Sequence, residues 1–387
     1  MRILHVVPYY LPAWRYGGPI KSVHGLCKGL ASLGHDVHVF TTNMDGPRHL
    51  DVPVGTPVEI DAVKVWYFPS TRLKRLFWAP ALGQALKDQV HTFDLLHLHT
   101  VYMWPTAAAA RIARRYGVPY VLAPRGMLVS DLINRKSRQI KKAWIYFFER
   151  TNMAGAAAVH FTSRLEAEEA AKLRLFFKSS CIVPNGLDTE EITGGAEAAN
   201  PALNEIPDNC RFLLFIGRVN WKKGLDRLIA ALPQVPNCSL AVVGNDEEGH
   251  QRELETLAIE IGVRNRILFL GPVYGARKAA LLSRACALVL PSYSENFGNV
   301  VLEAMGAGCP VVVTPEVGAA DLVQNTGGGV VLDGRPESLA IGLNALLADP
   351  AALKEMGNRA RIAIAQRYTW TAIAGEMDTV YRKIVAH

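Results

Sequence analysis

The residues best suited to chemistry in this chain lie between Tyr293 and Ala307, in the sequence Y-S-E-N-F-G-N-V-V-L-E-A-M-G-A. Two carboxylates, Glu295 and Glu303, are seven residues apart, and the apolar run before them ends as a strand would at Pro291. The helical spacing that follows places free N–H groups of a helix N-terminus in this loop, where an anion is favoured. The segment therefore predicts a site for a sugar joined to a phosphate, although strand–loop–helix units with glycine are also common without any ligand.

A second strand–loop–helix segment supplies positive charge. The apolar run 212–216 ends at Gly217, and the loop that follows carries Arg218 and Lys223 before helical spacing resumes at Leu225. Two fixed cations at the carboxyl end of a strand are suited to neutralise a diphosphate as its bond to a sugar breaks. A solvated basic loop is the alternative interpretation.

Together these segments resemble the retaining glycosyltransferases of family GT4, which have the GT-B fold. The resemblance spans nearly the whole chain, and its specificity comes from the order of the motifs rather than from any single one. In this sequence the motifs are G-G-P at 17–19, H-L-H at 97–99, P-N-G-L-D at 184–188, G-R-x-x-x-K-K-G at 217–224, V-V-G at 242–244, F-L-G-P-V at 269–273, P-S-x-x-E-x-F-G at 291–298, the E-x7-E pair, and E-A-M-G-A-G-C-P-V-V at 303–312.

The resemblance implies roles for the donor-binding residues. Arg218 and Lys223 would hold the diphosphate, Glu303 the ribose hydroxyls, and Glu295 the hydroxyls of the transferred sugar. The Gly271–Tyr274 loop would offer backbone groups to the base. The further donor-binding positions implied are Gly17, Gly18, Gly217, Val273, Asn296, Phe297, Gly298, Asn299 and Val300.

Three features of the amino-terminal half concern the acceptor side. Gly17 and Gly18 leave backbone amides open to close approach, or they form a plain loop-to-helix turn. His97 and His99 alternate along a strand, and the resemblance selects His99 as the contact to the transferred sugar, which leaves His97 in the core. Arg125 is suited to an anionic acceptor, and a structural role is equally compatible with its position.

Length and patterning indicate two domains. A chain of 387 residues exceeds one ordinary core, and strands alternate with helices in both halves, as in parallel sheets covered on both faces. We predict an α/β protein of the GT-B class, with two Rossmann-like, doubly wound domains facing across a cleft. The predicted boundaries are 1–188 for the acceptor-side domain, 189–209 for a polar linker, 210–368 for the donor-side domain, and 369–387 for a helix that, by the resemblance, crosses back to the first domain.

Charge divides the chain unevenly. Residues 1–190 contain 24 Lys+Arg against 14 Asp+Glu, a net charge of +10, whereas residues 191–387 have 18 against 21, a net charge of −3. The stretch Arg135–Arg150 mixes cations with aromatic residues and predicts peripheral contact with the inner membrane surface. Packing of the same aromatic residues into the domain core is the alternative. Neither a reading helix nor a stacking platform for nucleic acid is recognisable.

Features that the sequence lacks also limit the class of protein. No apolar run reaches the ~18 residues of a membrane span, and the first apolar run ends at Pro8, which indicates a strand and not a signal peptide. Six dispersed cysteines suggest reduced thiols and a cytoplasmic protein. We find no Asp-x-Asp element, so we expect no metal and no cofactor.

These observations predict a retaining hexosyltransferase that uses a UDP- or GDP-sugar and a glycan or lipid-linked acceptor, in the biosynthesis of a cell-envelope polysaccharide such as lipopolysaccharide. Retention, the hexosyl group and the acceptor are implied by the resemblance alone. The alternatives are a sugar phosphorylase, a nucleotide-sugar epimerase of the same fold, and a non-catalytic nucleotide-sugar-binding subunit.

Overall fold

The structure is a computed structural model that describes residues 1–129, 138–188, 205–207, 209–246 and 248–386. The chain divides into two compact units. One comprises Met1–Gly186 and Trp370–His387, and the other comprises Leu187–Thr369. Most of the linker predicted over 189–209 lies outside the described residues.

The first unit is built on an eight-stranded sheet with the strand order β10-β9-β8-β7-β1-β2-β6-β5, in which only the β5–β6 pair is antiparallel. Its central strands are buried on both faces, as expected for a sheet covered by helices. A short hairpin, β3–β4, stands outside the sheet. The strands are β1 Arg2–Val6, β2 Asp36–Thr42, β3 Met44–Asp45, β4 Arg48–His49, β5 Pro57–Ile60, β6 Val63–Phe68, β7 Leu95–His99, β8 Tyr120–Ala123, β9 Ala158–Phe161 and β10 Ser180–Ile182.

Helices of the first unit follow the strands in the chain, as in other parallel sheets. They are α1 Gly18–Ser32, α2 Pro80–Gln89, α3 Trp104–Tyr116, α4 Arg138–Trp144, α5 Arg150–Gly155 and α6 Arg164–Ala171, and the π-helical segment Ile145–Glu149 joins α4 to α5. The last helix of the chain, numbered α14 below, also belongs to this unit and packs on α1.

The second unit contains a six-stranded, fully parallel sheet with the order β13-β12-β11-β14-β15-β16. The strands are β11 Phe212–Ile216, β12 Ser239–Val243, β13 Ile267–Gly271, β14 Ala287–Leu290, β15 Val311–Val313 and β16 Gly329–Val331. The helices are α7 Leu225–Ala231, α8 His250–Glu260, α9 Gly275–Arg284, α10 Asn299–Gly306, α11 Ala320–Thr326, α12 Pro336–Leu347 and α13 Pro350–Arg367, and they are followed by α14 Trp370–Val385 of the first unit.

The predicted fold class is confirmed, since each unit is a Rossmann-like α/β domain with a parallel sheet. Strand order reverses beside β1 in the first sheet and beside β11 in the second. Ligands of such sheets bind beyond the carboxyl ends of the strands at this reversal. None of the helices in the described part of the chain combines the length and the apolarity needed to cross a bilayer.

Candidate active site

The loop after β11 is held against its neighbours by close backbone contacts. Gly217 donates its N–H to the carbonyl of Val243 at 2.9 Å, and Lys223 lies in a short 3₁₀ turn that ends at Gly224. Gly224 has a φ of +64°, and a Cβ there would lie 2.0 Å from the carbonyl oxygen of Pro291. Only glycine allows this approach, which brings the loop after β11 beside the loop after β14.

The loop after β14 leads directly into α10. Gly298 precedes the helix with a φ of +90°, and its conformation turns the chain from the strand into the first helical turn. Phe297 is only 4% exposed, so its ring is part of the core and its backbone is the part available to a ligand. The N-terminus of α10 therefore lies at this loop, and a helix N-terminus favours an anion.

Lys223 and Glu295 form an ion pair that joins these two loops. Both side chains are mostly buried, and a Cβ at Gly217 would lie 3.7 Å from Nζ of Lys223. The N–H of Glu295 also donates to the carbonyl of Glu316 at 3.0 Å, which anchors its backbone to the loop after β15. Three residues that the sequence predicted as donor-binding, Gly217, Lys223 and Glu295, are thus in one place.

The second predicted carboxylate has a partner that sequence reasoning missed. Glu303, on α10, forms an ion pair with Lys278 on α9. A signal for Lys278 was present, because it lies in the first turn of the helix that follows β13, at the same edge of the sheet. Each carboxylate of the E-x7-E pair is therefore matched by one lysine.

Four other predicted donor positions lie at this edge of the second sheet. Arg218 is exposed and directly follows Gly217. Val273 is buried, between β13 and α9, so it can meet a ligand only through its backbone. Asn296 and Val300 are partly buried at the start of α10.

In the first unit, Gly17 and Gly18 form the entry to α1. Gly17 has a φ of +71°, and a Cβ there would have no atom within 4 Å. Pro19 lies in the first turn, where its missing N–H removes no helical hydrogen bond. The open space beside Gly17 leaves its backbone accessible.

His99 belongs to a buried cluster of four histidines from three strands, which are His5, His97, His99 and His160. The Arg125 guanidinium lies 3.4 Å from Nδ1 of His99 and only donates, so Nε2–H of His99 donates to Nδ1 of His5 at 2.9 Å. Burial and the charge of Arg125 hold the pKa of His99 well below its usual range. Both ring nitrogens are thus occupied, and contact of His99 with a sugar, which stays a prediction, requires an exchange of one hydrogen bond.

The other two histidines, His97 and His160, form a second series of hydrogen bonds. Nε2–H of His160 donates to the carbonyl of Val183 at 2.8 Å, which leaves Nδ1 of His160 to accept from His97 at 3.3 Å. Nδ1 of His97 then accepts from the hydroxyl of Tyr381, on α14, at 2.6 Å. His97 lies in the core, as the sequence interpretation had it. The expected alternation of His97 and His99 was wrong, because residues two apart in a strand share a face, and their ring centres lie 4.2 Å apart.

The nitrogens of His5, His97 and His99 lie within 4.8 Å of one another, close enough for three metal ligands. The hydrogen bonds above already direct several of their lone pairs to protein donors, and the Arg125 cation beside His99 opposes a second cation. We therefore interpret the cluster as a neutral hydrogen-bonded core.

The side chain of Arg125 forms hydrogen bonds within the first unit. It follows β8 with a φ of +54° and donates to the amide oxygen of Asn185 at 3.0 Å as well as to His99. These contacts serve the structural role that the sequence left open, and the predicted contact with an acceptor stays a prediction.

Comparison with known proteins decides the family. Residues 197–363 match the glycosyl transferases group 1, and residues 17–186 match the glycosyl transferase 4-like domain. A D-inositol 3-phosphate glycosyltransferase from Xylanimonas cellulosilytica is 30% identical over 397 residues, which cover 94% of this chain and 91% of the relative. The chain belongs to the group 1 glycosyltransferases.

Solved structures agree on the fold of this group 1 glycosyltransferase. The sucrose-phosphate synthase from Thermosynechococcus elongatus has a TM-score of 0.77 at 22% identity and covers all of both chains. The Anabaena protein HepE, in complex with UDP-glucose, has a TM-score of 0.74 at 20% identity and covers 99% of this chain and 100% of that chain. Both likenesses concern the GT-B fold alone.

In this glycosyltransferase the second unit holds a compact set of opposite charges around a helix N-terminus. The lysines at 223 and 278 can bind anionic oxygens, and the two glutamates can accept hydrogen bonds from hydroxyls. A ligand that carries both an anionic group and several hydroxyls satisfies all four side chains.

Proposed function

We propose that this glycosyltransferase transfers a hexosyl group from a nucleotide diphospho-sugar, with retention of anomeric configuration. The observation that carries the proposal is the pair of lysine–glutamate contacts, Lys223–Glu295 and Lys278–Glu303, beside the first turn of α10. Each glutamate, which would accept hydrogen bonds from hydroxyls, forms an ion pair with a lysine, which would bind phosphate oxygens. Binding of the donor replaces each ion pair by contacts of the lysine with phosphate oxygens and of the glutamate with hydroxyls, so none of these charges is left without a partner.

The roles of the residues follow from their charges. Lys223 and Arg218 move their positive charge onto the diphosphate and stabilise the negative charge that grows as the sugar–phosphate bond breaks. Glu295, released by Lys223, accepts hydrogen bonds from the transferred sugar, and Glu303 accepts them from the ribose. A front-face reaction, in which the leaving phosphate helps to remove the proton of the acceptor hydroxyl, requires no nucleophile from the protein.

We propose UDP- or GDP-sugar as the donor. The Anabaena protein HepE, which has a similar fold, is in complex with UDP-glucose, and this supports UDP. The test is to measure turnover and calorimetric binding with UDP-glucose, UDP-galactose, UDP-N-acetylglucosamine and GDP-mannose, and to follow the anomeric proton of the product by NMR. Retained configuration is expected, whereas inversion contradicts the proposed reaction.

The same assay separates the alternatives. Formation of a sugar 1-phosphate that depends on inorganic phosphate identifies a phosphorylase, and interconversion of nucleotide sugars without an acceptor identifies an epimerase. Activity that appears only when a second protein is added identifies a binding subunit. Activity in excess EDTA is expected, because lysines and backbone amides supply the charge that a metal otherwise provides.

We propose that the acceptor is a glycan or a lipid-linked glycan of the cell envelope, reached at a membrane surface. The support is the exposure of large apolar side chains from α4 through the π-helical segment: Ile140 is 72% exposed, Tyr146 62% and Phe147 69%. Lys142 and Arg150, both exposed, flank them. These aromatic rings are not packed into the core, and cations beside exposed aromatics suit an anionic lipid surface.

The membrane proposal is tested by sedimentation with liposomes that contain anionic lipid. Each Lys or Arg near such a surface contributes roughly 1 kcal/mol, so the double change Lys141→Glu and Lys142→Glu should reduce binding and its dependence on salt. Lys87→Glu with Arg111→Glu, on α2 and α3, is the matched control. Equal binding by both variants and the parent overturns the proposal.

A further inference from the structure

The second unit contains a pocket that the donor site does not use. It has a volume of about 280 Å³, and its walls include Trp221, Asp226, His250, Glu253, Leu254 and Tyr293. None of the residues assigned above to the diphosphate, the ribose or the transferred sugar lines it. The volume is at the small end of ligand pockets and suits a single ring rather than a whole nucleotide.

Two buried acceptor atoms in this pocket have no partner in the described protein. One carboxylate oxygen of Asp226, Oδ2, accepts from the hydroxyl of Tyr293 at 2.7 Å, whereas Oδ1 is buried without a hydrogen bond. Nδ1–H of His250 donates to Glu253 at 2.8 Å, and Nε2 of His250 is likewise buried without a hydrogen bond. In the neutral ring Nε2 is an acceptor. The wall of the pocket therefore contains two buried acceptors without hydrogen-bond donors. A ligand reaches them when the two side chains turn toward the pocket.

The other walls are aromatic and aliphatic. The ring of Tyr293 is fixed on one face by the guanidinium of Arg227, whose carbon lies 3.6 Å from the ring centre, and at its hydroxyl by Asp226. The ring of Trp221 has Nζ of Lys222 at 6.0 Å from its centre. Because the ring of Tyr293 is already held by these contacts, little side-chain entropy is lost when a ligand packs on it.

We propose that this pocket binds one ring of a saccharide. The hydroxyls of a sugar ring donate to Oδ1 of Asp226 and Nε2 of His250, and its apolar C–H face packs on Trp221 or Tyr293. The carboxylates of Asp226 and Glu253 disfavour an anion. Arg227 and Lys222, which already lie over the aromatic rings, disfavour an ammonium group that would bind there by a cation–π contact.

A backbone hydrogen bond connects the wall of the pocket to the donor site. The N–H of Tyr293 donates to the carbonyl of Lys222 at 2.8 Å, and Lys222 is the neighbour of Lys223. A saccharide in the pocket therefore contacts both loops that carry the Lys223–Glu295 pair. The pocket can bind a saccharide whether or not the proposed function is correct. The further statement, that this saccharide is part of the acceptor glycan, rests on the proposed function.

The test is saturation-transfer NMR on the full chain with free glucose, mannose, galactose, N-acetylglucosamine and their disaccharides. At least one is expected to receive saturation. Trp221→Ala and Asp226→Asn should each weaken its binding about tenfold or more, as expected for the loss of a stacking surface or of a hydrogen bond to a charged group. His91→Ala, an exposed histidine of the first unit, is the matched control and should bind as the parent does.

Further arms separate this pocket from the donor site. UDP should not displace the saccharide, and calorimetric binding of UDP to the Asp226→Asn variant should equal that of the parent. Lys223→Ala should reduce turnover about a hundredfold or more and leave the saccharide signal intact, so failure of the proposed function and failure of this inference are distinguishable. The inference is overturned if no saccharide receives saturation, if UDP displaces it, if choline or ethanolamine binds in its place, or if the pocket variants bind like the parent.

Discussion

At the residue scale, the lysines at 223 and 278 neutralise the glutamates at 295 and 303, respectively. Carboxylates in one polar site repel each other unless cations separate them. The lysines therefore serve the unliganded protein as well as the donor complex. Removal of either lysine should therefore leave the glutamate that it pairs with without a neutralising cation.

We predict that Lys223→Ala and Arg218→Ala each reduce turnover about a hundredfold or more, because each removes a charge from the leaving diphosphate. Lys354→Ala, an exposed lysine on α13, is the matched control and should change turnover far less. Steady-state kinetics with the preferred donor measures the effect, and circular dichroism verifies folding. Near-normal kcat in either variant contradicts the diphosphate role.

We also predict that the two glutamates act on different parts of the donor. Glu303→Gln should weaken binding of the free nucleotide and of the nucleotide sugar alike, because both contain the ribose. Glu295→Gln should weaken only the nucleotide sugar, by about 1.5–3 kcal/mol for the lost hydrogen bond to a charged acceptor. Calorimetry with both ligands distinguishes the variants, and equal losses on both ligands for both variants refute this division.

At the element scale, the contact between α1 and α14 depends on glycine. A Cβ at Gly25 would lie 2.1 Å from the Trp370 ring, and a Cβ at Gly29 would lie 2.5 Å from the Trp370 carbonyl oxygen. The two helices approach closely because these positions have no side chain. This contact holds the end of the chain on the first unit.

We predict that Gly25→Ala destabilises the first unit by about 1–3 kcal/mol, the usual cost of overpacking. Gly375→Ala, on α14, is the matched control, since a Cβ there has no atom within 4 Å. Alanine in a helix interior is favoured over glycine by about 0.5–1 kcal/mol, so this variant should be slightly more stable than the parent. Urea unfolding of the two variants measures the difference, and equal midpoints argue against the close contact.

At the scale of the whole molecule, the buried histidines make stability depend on pH. Burial and the Arg125 charge lower the pKa of both His5 and His160 to about 3. An unfolded histidine has a pKa of about 6.5, so the unfolded chain binds more protons between these values. The contribution of these histidines is therefore complete above pH 6.5 and is lost as pH falls towards 3.

We predict that the first unit unfolds at a lower temperature at pH 5 than at pH 7, with each histidine contributing about 1.4 kcal/mol per pH unit. His160→Gln, whose amide can still donate to the Val183 carbonyl, should reduce the pH dependence by about one proton. His91→Gln should keep the slope of the parent. Calorimetric scans at several pH values measure this, and a constant unfolding temperature between pH 7 and pH 5 contradicts it.

The sequence by itself determined the fold class and the family, because both depend on local patterns. Apolar runs of strand length alternate with helical spacing, and the run predicted as a strand at 212–216 is a strand with those bounds. Motif order supplied the family, since residues at the carboxyl ends of parallel strands are neighbours whatever the length of chain between them. The antiparallel pair of β5 and β6 was not predicted, because β5 is a four-residue edge strand whose side chains are exposed or only partly buried.

Only the tertiary structure decided which side chains meet. The pairing of Lys278 with Glu303 joins helices that follow different strands, and the histidine cluster combines β1, β7 and β9 with Tyr381 from the end of the chain. The unpartnered atoms of Asp226 and His250 became visible only when α7 and α8 packed together. Such contacts depend on distances between elements far apart in sequence, which periodicity does not encode, because periodicity reports only which face of an element is buried.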